Sequence, residues 1–166
     1  MPLSEDARPV EVPRDPAALP GAAPRPAETW LRIVQVHDRI TRRVDSALHR
    51  QHGLSLTGFE ALRRIAAAPG ERASMGEVAE ALGLSRPGVT STVGRLVADG
   101  LVLRERGDAD RRVLHATLTP AGRRRVDEAA RTHDELVAHL LTLLGDDAAV
   151  VTDALARVSA AALPRH

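Results

Sequence analysis

The sequence of 166 residues predicts a mainly α fold with one small β-hairpin. Three observations carry that expectation: capped apolar runs at helical spacing before residue 100, an alternating strand pair around a Gly/Asp turn, and long helical runs after it.

The elements follow in order. Residues 1–27 hold Pro2, Pro9, Pro13, Pro16, Pro20, Pro24 and Pro26 with few large apolar side chains, so they read as a disordered or extended tail. Glu28 or Thr29 opens a helical pattern with Leu31, Ile33, Val34, Val36, Ile40, Val44 and Leu48, ending before Gly53. Thr57-Gly58-Phe59-Glu60 has the form of a capping box, opening a second helix with Leu62 and Ile65 that stops before Pro69-Gly70. Ser74-Met75-Gly76-Glu77 is another such box. It starts a short helix with Val78, Ala79 and Leu82, and Gly83 allows a sharp exit. Ser85 caps the next helix, whose apolar stripe is Val89, Val93, Leu96 and Val97, and Gly100 stops it. Two short helices around a glycine turn make a helix-turn-helix.

The outward face of the second of these helices is the feature with functional content. At about 100° per residue, Pro87, Ser91, Gly94 and Arg95 point away from the apolar stripe, with Arg86 and Thr90 beside them. No acid sits there. Small hydroxyl residues and glycine let a helix lie deep in a DNA major groove, and arginine can donate two hydrogen bonds to guanine or pair with phosphate. A solvated small-residue face is the alternative reading of the same pattern.

Residues 101–106 and 112–118 then alternate as two strands around Gly107-Asp108-Ala109-Asp110. Leu114, Ala116 and Leu118 share one face, and Val113, His115 and Thr117 the other. Arg111 and Arg112 fall at the hairpin tip, where a guanidinium can enter a narrow minor groove or hold phosphates, with Asp108 or Asp110 orienting one of them. A solvated charged turn is the alternative there. Thr119 caps and Pro120 opens a long helix carrying Val126, Ala129, Ala130, His133, Leu136, Val137, Leu140, Leu141 and Leu144. Gly145-Asp146 breaks the pattern, and Val150, Val151, Ala154, Leu155, Val158, Ala161 and Ala162 continue it. So much apolar surface points to a second subunit, the alternative being packing within the same chain.

Several of these segments together resemble the winged helix of MarR-family transcription regulators. They are Ala79-Glu80-Ala81-Leu82-Gly83-Leu84-Ser85, Val89-Thr90-x-x-Val93-x-x-Leu96, Gly100-Leu101-Val102, Asp108-x-Asp110-Arg111-Arg112 and Leu118-Thr119-Pro120-Ala121-Gly122. The resemblance implies an obligate homodimer, each subunit a winged helix-turn-helix joined to helical dimerisation elements. It also implies repression of transcription, with DNA released in many members when a small anionic or phenolic molecule binds. The expected organisation is a tail at 1–27, a dimerisation helix at 28–52, a winged helix-turn-helix DNA-binding domain at 53–119 and C-terminal dimerisation helices at 120–163. Expected contacts to a palindromic double-stranded operator are Ser85, Arg86, Pro87, Thr90, Ser91 and Arg95 from the helix, and Arg111 and Arg112 from the wing. The resemblance places effectors between the dimerisation helices and the winged domain, which by residue type implicates Trp30, His37, Arg39 and Phe59; as the two aromatics, Trp30 and Phe59 serve equally as core.

Composition narrows the rest. The chain contains no lysine, so all 23 of its basic side chains are permanently charged, planar guanidiniums. Net charge is only +1, yet between residues 53 and 125 twelve arginines face eight acids. Without cysteine there is no disulfide, thiolate zinc site or thiol switch. No apolar run approaches the roughly 18 residues of a membrane span, so a cytoplasmic location is expected. No phosphate loop, zinc-protease motif or nucleophile elbow occurs, which argues against an enzyme and against a cofactor. His49 with His52, and His133 with His139, lack the further ligands that a metal site needs. The competing class is a winged-helix protein-interaction module without specific DNA binding.

Overall fold

The computed structural model describes residues 25–107 and 112–162. The chain divides into two units, Met1–Val36 and His37–His166, and the first helix, α1 (Pro26–His52), has residues in both. Within the first unit Arg32 pairs with Glu28 one turn earlier at 3.1 Å, and Trp30, Leu31, Ile33 and Val36 are exposed. Within the second, α1 buries Val44, Ala47 and Leu48.

The second helix, α2 (Leu56–Ala66), is capped by Ser55, whose hydroxyl oxygen accepts from the Gly58 N–H at 3.1 Å. The expected capping box at Thr57 and Glu60 is therefore corrected, since both residues lie inside the helix. Asp45 of α1 explains the earlier start: its carboxylate accepts from the Leu56 N–H at 2.7 Å, satisfying a first-turn donor that the local sequence alone left open. Phe59, Ala61, Leu62 and Ile65 of α2 are fully buried and form the middle of the core.

A 3-10 turn, Pro69–Glu71, leads into β1 (Arg72–Ser74), a strand the sequence reading did not anticipate. Three residues are too few to show alternation. β1 pairs antiparallel with β3 (Leu114–Leu118), which also pairs antiparallel with β2 (Val102–Arg106), so the sheet order is β1-β3-β2. Ala73 lies opposite Ala116, and Val102 opposite Leu118, closing one face of the sheet onto the helices. Leu114, expected on that inner face, is exposed because the hairpin has by then run past the helices.

The helix α3 (Met75–Leu82) carries the expected capping box. Ser74 accepts from the Glu77 N–H at 3.2 Å, and the Glu77 carboxylate accepts from the Ser74 N–H at 2.7 Å. That backbone donor, then the Ser74 side chain, hold the Glu77 carboxyl below its ordinary value of 4.5, with Arg64 and His115 assisting against a small opposing effect of burial. A depressed carboxylate contributes stability above its unfolded pKa and loses it as pH falls through the folded value. Glu77→Ala should therefore lower the denaturation midpoint most near neutrality, and the gap from wild type should close below pH 4.5. Urea titrations at neutral and acidic pH measure this; a gap that widens on acidification contradicts the cap.

After α3 the chain turns at Gly83, which has φ +62° and whose N–H closes onto Glu80, while Leu84 N–H bonds Ala79 at 2.8 Å. The helix α4 (Arg86–Ala98) follows, then β2 and β3. Helix α5 (Pro120–Leu141) is capped by Thr119 and buries Gly122, Val126 and Ala129. A 3-10 turn at Thr142–Asp147, broken at Gly145, joins it to α6 (Ala148–Ala162). Arginines of α5 fasten the neighbouring elements. Arg123 pairs with Glu71 and donates to the Ala66 carbonyl at 3.3 Å, and Arg125 donates to the His52 carbonyl at the end of α1.

Candidate nucleic-acid interface

The proposed reading surface is positioned by α3 and α4. Val89, Val93 and Leu96 bury one side of α4 against the core. Ser85 fixes its start by accepting from the Gly88 N–H at 3.3 Å, and Pro87 sits in the first turn, where no intrahelical N–H bond is lost. With the apolar side fixed inward, Ser85, Arg86, Pro87, Thr90, Ser91 and Arg95 are all exposed, as the helical projection requires. Gly94 leaves open space beside them: a methyl group built on it meets nothing within 4 Å. The acid closest in sequence is Asp99 at the C-terminal cap. Of the two wing arginines, Arg112 is exposed, and Arg111, with Asp108 and Asp110, lies outside the described residues.

Two open clefts flank α2. One, of about 600 Å³, separates α1 from α2 and is lined by His37, Arg42, Asp45, Thr57 and Glu60. The other, of about 580 Å³, lies among α2, α3 and α5 and is lined by Glu60, Arg63, Arg64, Leu82 and His133. Beneath the second cleft Phe59 is wholly buried, its ring centroid 5.2 Å from that of His133 and 5.6 Å from the Arg63 guanidinium carbon. The Nε of Arg64 is buried and, among the described residues, has no hydrogen-bond partner. Among the described residues no group of three or more His, Cys, Asp or Glu side chains is placed to hold a metal ion.

Residues 52–113 match the model of the MarR family. Over that segment the chain is similar to the MarR family. Solved structures agree with the family and extend the likeness beyond the matched segment. AbsC, a MarR family transcriptional regulator from Streptomyces coelicolor, shares 26% identity with a TM-score of 0.73, covering 83% of this chain and 95% of that one. Sco3205, a MarR family regulator from the same organism solved in complex with DNA, has a TM-score of 0.76 at 23% identity, over 87% of this chain and 92% of that one. BpsR of Bordetella bronchiseptica, described as regulated in DNA binding by 6-hydroxynicotinic acid, has a TM-score of 0.63 at 22% identity, covering 78% and 98%. No curated protein matches the chain.

Against this MarR-family frame the expected helix residues come together on one exposed face, whereas the expected effector residues do not form one set. His37 lines the first cleft, Arg39 is exposed on α1, and Trp30 is 67% exposed in the first unit. Phe59 is 0% exposed and is core, the reading the sequence offered beside effector contact: it is the largest fully buried side chain among the described residues, in a core built otherwise of Leu, Val, Ile and Ala. Arg63, Arg64 and His133, which line the second cleft, were not among the residues expected to contact an effector. A signal existed for Arg63, which stands four residues after Phe59 on one helix face, the spacing at which a guanidinium can cover an aromatic ring.

Proposed function

We propose that this chain is a homodimeric transcriptional regulator that binds a palindromic double-stranded operator, acts as a repressor, and is released by a small anionic aromatic effector. The exposed face of α4 carries the reading: Ser85, Arg86, Pro87, Thr90, Ser91 and Arg95 present hydroxyls and guanidiniums on a helix whose other side is buried through Val89, Val93 and Leu96. That face enters the major groove, and Arg112, with Arg111, contacts the flanking minor groove or its phosphates. The dimer reading is supported by exposed apolar rows: Leu31, Ile33 and Val36 on α1, and Leu141, Leu143, Val150, Leu155 and Val158 from α5 to α6. A second copy across a two-fold axis would set the two α4 helices for half-sites about one DNA turn apart. The effector reading draws on the clefts beside α2, with Arg63, Arg64 and His133 or His37 and Arg42 taking the anionic group. BpsR, whose DNA binding responds to 6-hydroxynicotinic acid, supports that ligand class.

The test is fluorescence anisotropy with duplexes from the chain's own upstream region and with bulk genomic DNA. Arg95→Ala should cost about 1–3 kcal/mol on the preferred duplex and relax preference at one base position. Equal affinity of the wild-type chain for both DNAs would overturn sequence-specific reading and favour a protein-interaction module.

A further inference from the structure

Among the described residues Glu71 is the only non-glycine with a left-handed backbone, at φ +55°. That conformation strains any residue carrying a Cβ, whereas glycine adopts it freely, as Gly70 does beside it at φ +64°. Glu71 therefore needs a partner that holds it there, and Arg123 of α5 is placed to be one. The guanidinium pairs with the Glu71 carboxylate, donates to the Ala66 carbonyl at the end of α2 at 3.3 Å, and lies 3.6 Å from Asp127 one turn along α5. As an ion pair alone this would contribute little, because both side chains are more than a third exposed. What the arrangement supplies is geometry: α2 and α5 fix the guanidinium, and the guanidinium fixes the carboxylate.

Glu71 leads straight into β1, whose three residues belong to two structures at once. Ala73 is buried opposite Ala116 of β3, and Ser74 is both the last residue of the strand and the N-cap of α3. No loop separates the turn from either. A rotation at Glu71 would move the edge of the sheet and the start of the helix-turn-helix together.

We infer that Arg123 is a positioning residue for DNA reading: its grip on the Glu71 carboxylate keeps that backbone left-handed, which fixes β1 and through it both the hairpin and α3. The inference rests on the DNA-binding reading above. Arg123 itself touches no DNA in this account.

The test compares Arg123→Ala, Glu71→Gly and the two combined with the wild type, all as the full-length chain. Fluorescence anisotropy on the duplex that the wild type prefers reads affinity, and amide hydrogen exchange of the free chain reads the β1–β3 ladder without DNA. Arg123→Ala should weaken binding about five- to tenfold, since a left-handed residue with a Cβ is then sparsely populated, and should speed exchange in the ladder. Its salt slope should match the wild type, whereas a lost phosphate contact would lower the slope by about 0.9. Glycine needs no clasp, so Glu71→Gly should stay within about twofold of the wild type, and the double variant should recover both affinity and protection. An ordinary ion pair behaves otherwise, because losing either partner, or both, does equal harm.

The positioning role is overturned if the double variant stays as weak as Arg123→Ala, if Arg123→Ala equals the wild type in both readouts, or if its salt slope falls. In each of those cases the α4 reading stands. If the wild-type chain prefers no duplex, the DNA reading fails and the positioning role falls with it.

Discussion

Gly122→Ala should destabilise the winged-helix domain by about 3 kcal/mol or more, at or beyond the upper end of the usual overpacking range. A methyl group on Gly122 would lie 2.1 Å from the Leu101 carbonyl oxygen, 2.9 Å from Leu118 Cδ1 and 3.0 Å from the Leu101 carbonyl carbon. The first of these is backbone, and it is held. The Thr119 N–H donates to the same Leu101 oxygen at 3.1 Å, and the Thr119 hydroxyl lies 2.9 Å from Gly100 O and accepts from the Gly122 N–H at 2.9 Å. Leu101 joins α4 to β2, so relieving the clash shifts the first turn of α5 away from the junction that fixes α4 relative to the wing. Against a typical domain stability of about 5–15 kcal/mol, that loss is large. Gly94→Ala supplies the contrast. Its methyl meets nothing within 4 Å in the interior of α4, so it should stabilise by about 0.5–1 kcal/mol through helix propensity. Urea denaturation of the two variants should move the midpoint in opposite directions, and a Gly122→Ala midpoint indistinguishable from wild type would mean that α5 does not pack so closely on Leu101.

What the sequence made legible follows from how local the causes are. The α3 capping box, the Gly83 turn, the Ser85 cap and the Thr119-Pro120 start all depend on bonds between residues three or four apart, and the structure has each of them. The outward face of α4 was equally readable, because a 3.6-residue period fixes which side chains oppose Val89, Val93 and Leu96. Errors arose where a distant group decides. Asp45 reaches eleven residues to start α2 at Leu56, and β1 exists only because β3, some forty residues later, offers it an edge. The cleft of Arg63, Arg64 and His133 is assembled from α2, α3 and α5, so no stretch of sequence contains it. Phe59 was ambiguous for a related reason: side-chain type alone does not separate a ligand-stacking ring from a core ring.

That ambiguity resolves into the second large effect. Phe59→Ala should cost about 3–5 kcal/mol, the usual result of emptying a buried aromatic site whose walls only partly collapse. Phe59 is fully buried in the core cluster of the described residues, with Leu48, Leu54, Leu62, Ile65 and Val78, and the chain's other aromatic residue, Trp30, is 67% exposed. The loss has a further consequence at the cleft above it. His133 and Arg63 both rest on the Phe59 ring, so its removal takes away the support that orients an imidazole and a guanidinium toward the proposed anion. Phe59→Leu keeps much of the apolar volume but no aromatic face, and should separate the two roles: a smaller loss of stability, with the response to an anionic effector still weakened. Trp30→Ala, at a position 67% exposed, should change the monomer's stability little. Chemical denaturation of the three variants gives the order of costs. If Phe59→Ala lost less than about 1 kcal/mol, below even a typical large-to-small core change, the ring would not be the centre of the core and its place as a ligand contact would have to be reopened.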